Sequence, residues 1–189
     1  MIRHPSSRST RLGFLGITGR DALADELARR LDDDWHWFRG LGPGGIEPID
    51  AILVGPGGTW AISTAGERGR FARRNGHWYV QHRSTASWVP WDAAPITAAR
   101  LAARRLSLYL ERAGLPAEVS GAIVPPADMT VESAPGESIG VVVERELERL
   151  ASTLLGSEAV LSQAQVDRIV ALLDPRQPLP QLAPSTPGG

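Results

Sequence analysis

The chain contains no cysteine and no lysine. Without cysteine no disulfide framework can form, which agrees with a reducing compartment. Without lysine all 20 basic residues are arginine. Chemistry that needs a side-chain amine able to give up its proton is therefore excluded, because a guanidinium stays protonated above roughly pH 12. Long apolar runs are missing as well. Ala51-Ile52-Leu53-Val54 and Ile139 to Val143 fall far short of the roughly 20 residues that a membrane-spanning helix requires. The Ser/Arg-rich start, Met1 to Arg11, has no apolar stretch behind it of the kind a secretory signal carries. The expectation is a cytoplasmic protein with no membrane partner. A net charge of −1 gives no overall field that would draw the chain to nucleic acid or a bilayer.

What is present suffices for one sizeable core: 189 residues, of which 42% are hydrophobic. The expected organisation is a basic N-terminal arm over 1–17, a core domain over 18–135, a helical extension packed on it over 136–174, and a disordered proline-rich tail over 175–189. Charge is unevenly spread. Arg68, Arg70, Arg73, Arg74 and Arg83 gather in one stretch and Arg100, Arg104 and Arg105 in another, whereas Glu137, Glu144, Glu146, Glu148 and Glu158 mark the last third.

Thr18-Gly19-Arg20-Asp21 reads as a helix start, with Thr18 as cap and Asp21 in the positive first turn. Leu23, Leu27, Ala28 and Leu31 then share one face, and Asp32-Asp33-Asp34 ends the helix. Strands are expected at Trp35 to Phe38, at Ile46 to Val54 and, after the Gly55-Pro56-Gly57-Gly58 turn, at Thr59 to Thr64. Asn75-Gly76 predicts a tight hairpin between Phe71 to Arg74 and His77 to Val80. A loop holding Trp88, Pro90, Trp91 and Pro95 leads to a helix over Ile96 to Arg112, with Ala94, Ala98, Leu101 and Leu108 on its buried side and Arg100, Arg104 and Arg105 outside. Val119 to Val124 and Met129 to Val131 read as short strands. Val142 to Leu155 and Ser162 to Leu173 read as helices, the second opened by the capping-box pair Ser162 and Gln165. The order predicts an α/β or α+β arrangement of helices around one mixed sheet.

Ile49-Asp50, the Gly55-Pro56-Gly57-Gly58 turn and the strand after it resemble the centre of the NERD (nuclease-related) family. Further pieces keep that family's order: Gly19 before a helix ending Leu31-Asp32-Asp33, Gly69-Arg70-Phe71 followed by Asn75-Gly76-His77-Trp78, Asp92 and Pro95 before the long helix, Val119 to Val124 after it, and Val166-Asp167-Arg168-Ile169 near the end. Each motif alone is weak, and the resemblance rests on their shared order over roughly 19–173. It implies a restriction-endonuclease-like fold and divalent-metal-dependent cleavage of nucleic acid. In such a site two strand-end carboxylates hold Mg²⁺, a hard cation that prefers oxygen, and a lysine two residues beyond the second orients or activates water.

Of that constellation the resemblance leaves one member. Asp50 stands at the first carboxylate, but Glu-x-Lys is replaced by Ser63-Thr64-Ala65, the helix glutamate by Arg20, and the glutamine after Pro95 by Ala98. The vestigial positions are thus Arg20, Asp50, Ser63 and Ala65; no metal is expected, and if any bound, Asp50 would be its ligand. Glu47, Asp21 and Glu67 lie close in sequence to lost positions, though Glu47 should lean to the opposite face of its extended segment from Asp50. The favoured role for Asp50 is a structural hydrogen-bond acceptor. A hydrolase built on Ser63 would need an activating histidine, and His36, His77 and His82 show no diagnostic spacing to it.

The favoured function is a non-catalytic pseudonuclease acting as a binding or assembly module, with a homo-oligomer or another protein as partner and no cofactor. Two alternatives stay open. Arg70, Arg73, Arg74 and Trp78 on the hairpin could bind nucleic acid, since guanidinium groups contact phosphate and aromatic faces stack on bases; against this, the hairpin could be a solvated edge with its aromatics on the core. Alternatively, relocated carboxylates could support a Mg²⁺-dependent nuclease. The arginines of the long helix are read as a plain outer face, and Trp88 and Trp91 as the tryptophans best placed for a protein interface.

Overall fold

The computed structural model describes residues 23, 27, 29–42, 47–125 and 128–174. Among these, nine strands form two sheets. β1 (His36–Leu41), β2 (Ile49–Gly55) and β3 (Gly58–Ser63) run as an antiparallel meander, and β7 (Val119–Ile123) joins β3 in parallel. β9 (Val142–Val143) pairs in parallel with the end of β7, giving the order β1-β2-β3-β7-β9. The second sheet has the order β6-β5-β4-β8 and contains β4 (Gly69–Arg74), β5 (His77–Gln81), β6 (Trp88–Pro90) and β8 (Met129–Ser133). One mixed sheet was expected; the hairpin instead belongs to a separate sheet, because β4 takes β8 as its parallel neighbour.

The first sheet is covered on both faces, as its nearly unbroken burial through β2 and β3 demands. On one side Ile52, Val54 and Ala61 pack against Ala103, Leu106 and Leu110 of α1 (Ala94–Arg112) and Val166, Ile169 and Leu173 of α2b, the helix Gln163–Leu173. On the other, Leu53, Trp60 and Ile62 meet Leu150 and Leu154 of α2a, the helix Leu147–Leu155. Leu23 and Leu27, both helical, close that layer against Ala151. The second sheet packs through Phe71 and Met129 on Ile96, Ala99 and Ile123. This α+β architecture agrees with the restriction-endonuclease-like arrangement that the resemblance implies.

Local chemistry explains the boundaries. Asn75 and Gly76 both take positive φ, 51° and 77°, as a tight hairpin requires. Asp92 accepts a hydrogen bond from the Ala94 N–H at 3.1 Å and Pro95 sits in the first turn of α1, where no donor is needed. At α2b, Gln165 Oε1 accepts from the Ser162 N–H at 2.9 Å and from its hydroxyl at 2.8 Å.

Three expectations need correction. The buried side of α1 consists of Ile96, Ala99, Ala103, Leu106, Tyr109 and Leu110, whereas Ala94, Ala98 and Leu101 are exposed and Leu108 is half-buried. The expected helix from Val142 begins only at Leu147, since Val142 and Val143 form β9. Trp88 opens β6 instead of lying in a free loop, and Trp91 packs against Phe71, ring centroids 4.2 Å apart, and edge-on to Trp78. The expected helix cap at Thr18 to Asp21, the N-terminal arm and the tail beyond 174 lie outside the described residues.

Candidate functional site

The register Ala51↔Ile62 places Asp50, at the start of β2, beside the end of β3. Ser63 in turn lies level with Ile123 of β7, and its carbonyl accepts from the Val124 N–H at 2.8 Å. Asp50 and Ser63-Thr64-Ala65 therefore meet at one end of the first sheet, where the resemblance requires two carboxylates and a lysine. Here the half-buried Asp50 is engaged locally: its Oδ2 accepts from both the backbone N–H and the hydroxyl of Thr64, each at 2.8 Å. Ser63 Oγ accepts from the Ala65 N–H at 3.2 Å, closing the turn after β3. Arg20 lies outside the described residues. Ala98, in the glutamine's place, is exposed on α1.

The neighbouring acids have other partners. Glu47 pairs with Arg105 at 2.9 Å, and Glu67 accepts from the Trp91 indole N–H at 3.2 Å; Asp21 is outside the described residues. Among the described residues no group of three or more His, Asp or Glu side chains is arranged to hold a metal ion. Among the described residues no histidine is hydrogen-bonded to Ser63. His36 pairs with Val54, at the far end of β2 from Asp50, about 13 Å along the strand at its usual rise. There burial lowers the His36 pKa, while Asp167 and Asp34 act in the opposite direction. His77 belongs to the second sheet and exposed His82 follows β5.

On the hairpin, Arg70 forms an ion pair with Glu132 at 2.7 Å and donates to Gln81 at 3.2 Å. Arg73 donates to the Ser138 carbonyl, and its guanidinium lies 5.7 Å from the centroid of Trp78. Arg74, exposed, lies 4.5 Å over the Trp88 ring. Trp78 is half-buried, edge-on to Trp91 at 5.8 Å. The four residues proposed to touch nucleic acid thus share one sheet, and Arg70 and Arg73 already have internal partners.

Sequence reasoning missed two features. Thr64, inside the degenerate motif, is the partner that holds Asp50, and only its hydroxyl one position from a lost carboxylate hinted at this. A cleft beside β7 is lined by Arg100 and Arg104, read earlier as a plain outer face; their four-residue spacing was the available signal.

A family model described as nuclease-related domain matches residues 15–126, more than half of the chain. Comparison with curated proteins and with solved structures found no match.

Proposed function

This chain belongs to the nuclease-related domain family, and on that premise we propose that it is a member that does not cleave, acting as a binding or assembly module. The observation that carries the reading is the state of Asp50, whose Oδ2 is held by two hydrogen bonds from Thr64 in the place where a second acid should face it. Mg²⁺ keeps several waters and is held through one or two carboxylates together with substrate phosphates, and the one carboxylate left here has an oxygen already engaged by Thr64. With no lysine in the chain, the water-orienting amine has no replacement, because arginine cannot release a proton at neutral pH. The experiment is incubation of the purified protein with plasmid and oligonucleotide in Mg²⁺ or Mn²⁺. Intact substrate is the expected result, and chelator-sensitive scission abolished by Asp50→Ala is the result that refutes the proposal.

A second reading, nucleic-acid binding without cleavage, draws support from Arg74, an exposed cation held over Trp88, since arginine-aromatic pairs suit both phosphate contact and base stacking. On this reading a gel shift weakens steeply with added salt, and Arg73→Ala with Arg74→Ala removes it. Binding untouched by the pair of substitutions would dismiss the hairpin as its surface.

A further inference from the structure

β9 pairs with β7 only at Ala122 and Ile123. The first half of β7, Val119 to Gly121, borders a cleft of about 630 Å³ between α1 and the segment Ser138 to Val142. That volume lies within the roughly 300–1,000 Å³ typical of small-molecule sites. The cleft is separate from the Asp50 site: Trp60, which lines it, precedes Ser63 by three residues on β3, about 10 Å along an extended strand.

The charge that lines the cleft suits an anion. Arg100 and Arg104, one helical turn apart on α1, both line it and are exposed. Neither has an ion pair or hydrogen bond among the described residues, in contrast to Arg105, which is paired with Glu47. Trp60 contributes to the floor of the cleft but is only 7% exposed. Ala103, Ile139 and Val141 give the cleft an apolar wall, while Glu118 is the one acid lining it among the described residues.

We propose that this cleft binds a phosphate monoester of sugar-phosphate or nucleotide size, its phosphate held between Arg100 and Arg104 and its body against Ile139 and Val141. Two forked guanidinium groups offer more N–H donors than one carboxylate can accept, and they match the three terminal oxygens of a phosphate. Glu118 on the rim disfavours ligands of higher negative charge and provides an acceptor for a hydroxyl or amine on the body.

The test is calorimetric titration of the full chain, at physiological ionic strength, with adenosine monophosphate, ribose phosphate and adenosine. The expected result is one saturable site for adenosine monophosphate, ribose phosphate or both, with adenosine silent; which of the two binds shows whether the base is recognised. Arg100→Ala with Arg104→Ala, both on the exposed face and so compatible with folding, weakens that site at least about tenfold. Asp50→Ala leaves it unchanged, which separates this outcome from any result on cleavage. Absence of saturable binding by either phosphate, equal binding of adenosine, or a site that survives the double substitution overturns the proposal.

Discussion

Asp50 and Thr64 form a closed unit in which one carboxylate oxygen satisfies a backbone donor and a hydroxyl at the end of β3. Removing the acceptor strands both donors at a half-buried position, a loss of about 1–3 kcal/mol. Asp50→Ala should therefore lower the urea midpoint, and Thr64→Val less so, because the backbone bond survives. A double-mutant cycle should give a coupling of about 0.5–1.5 kcal/mol; strictly additive effects would mean that the hydroxyl contact contributes nothing. His36 supplies a pH-dependent contribution. Burial lowers its pKa in the folded state, so the unfolded chain takes up a proton first as pH falls below the ordinary value near 6.5. Stability contributed by neutral His36 is thus complete above that pH and is lost as pH drops through the folded pKa. Unfolding measured between about pH 7.5 and pH 5 should show this slope, and His36→Gln should flatten it. At this scale the residues at the motif positions, Ser63 and Ala65, are legible in the sequence, since identity is a local property. It did not disclose the partner of Asp50, because that depends on strand register.

The turn between β2 and β3 shows how an element serves a distant part of the fold. A Cβ at Gly55 would lie 2.3 Å from the Trp35 ring, and one at Gly57 would lie 3.0 Å from Ser157 and 3.1 Å from the Leu154 carbonyl. The Pro56 carbonyl accepts from Val160 and Leu161 at 2.9 and 3.1 Å. The glycines therefore keep the turn thin enough for Trp35 and the end of α2a to lie against it. Gly55→Ala should cost about 1–3 kcal/mol through displacement of the indole, read as a lower thermal midpoint; pairing it with Trp35→Ala should recover the part of the cost due to the clash, and failure to do so would place the strain elsewhere. Elements with local signals were legible: Asn75-Gly76 announced the hairpin, and Ser162 with Gln165 announced α2b. The face of α1 was misjudged because the helix lies close to Gly121, which has the Ala99 carbonyl and the Ala103 Cβ within contact range of its missing side chain. Such proximity selects alanine on the buried face and leaves Leu101 outside, against the usual hydrophobic ranking. β9 was taken for helix although the β-branched run Val141 to Val143 favours strand.

For the whole molecule, the order β1-β2-β3-β7 with helices on both faces sets Asp50 and Ser63 at one end of the sheet and the Arg100–Arg104 cleft beside its outer strand. The second sheet was not foreseen because β4 and β8 are far apart in sequence, and long-range pairing leaves no periodic trace in either strand. Among the described residues no helix is long and apolar enough to cross a membrane. The fold class followed from element order, whereas the cleft beside β7 depends on where a short strand stops pairing. On the function proposed above, the motif end of this sheet holds no divalent ion. The most direct test is titration of the purified chain with Mn²⁺, following free metal by electron paramagnetic resonance, with Asp50→Ala in parallel. No saturable site that depends on Asp50 is expected; a stoichiometric Mn²⁺ site present in the native chain and lost in the variant would refute this.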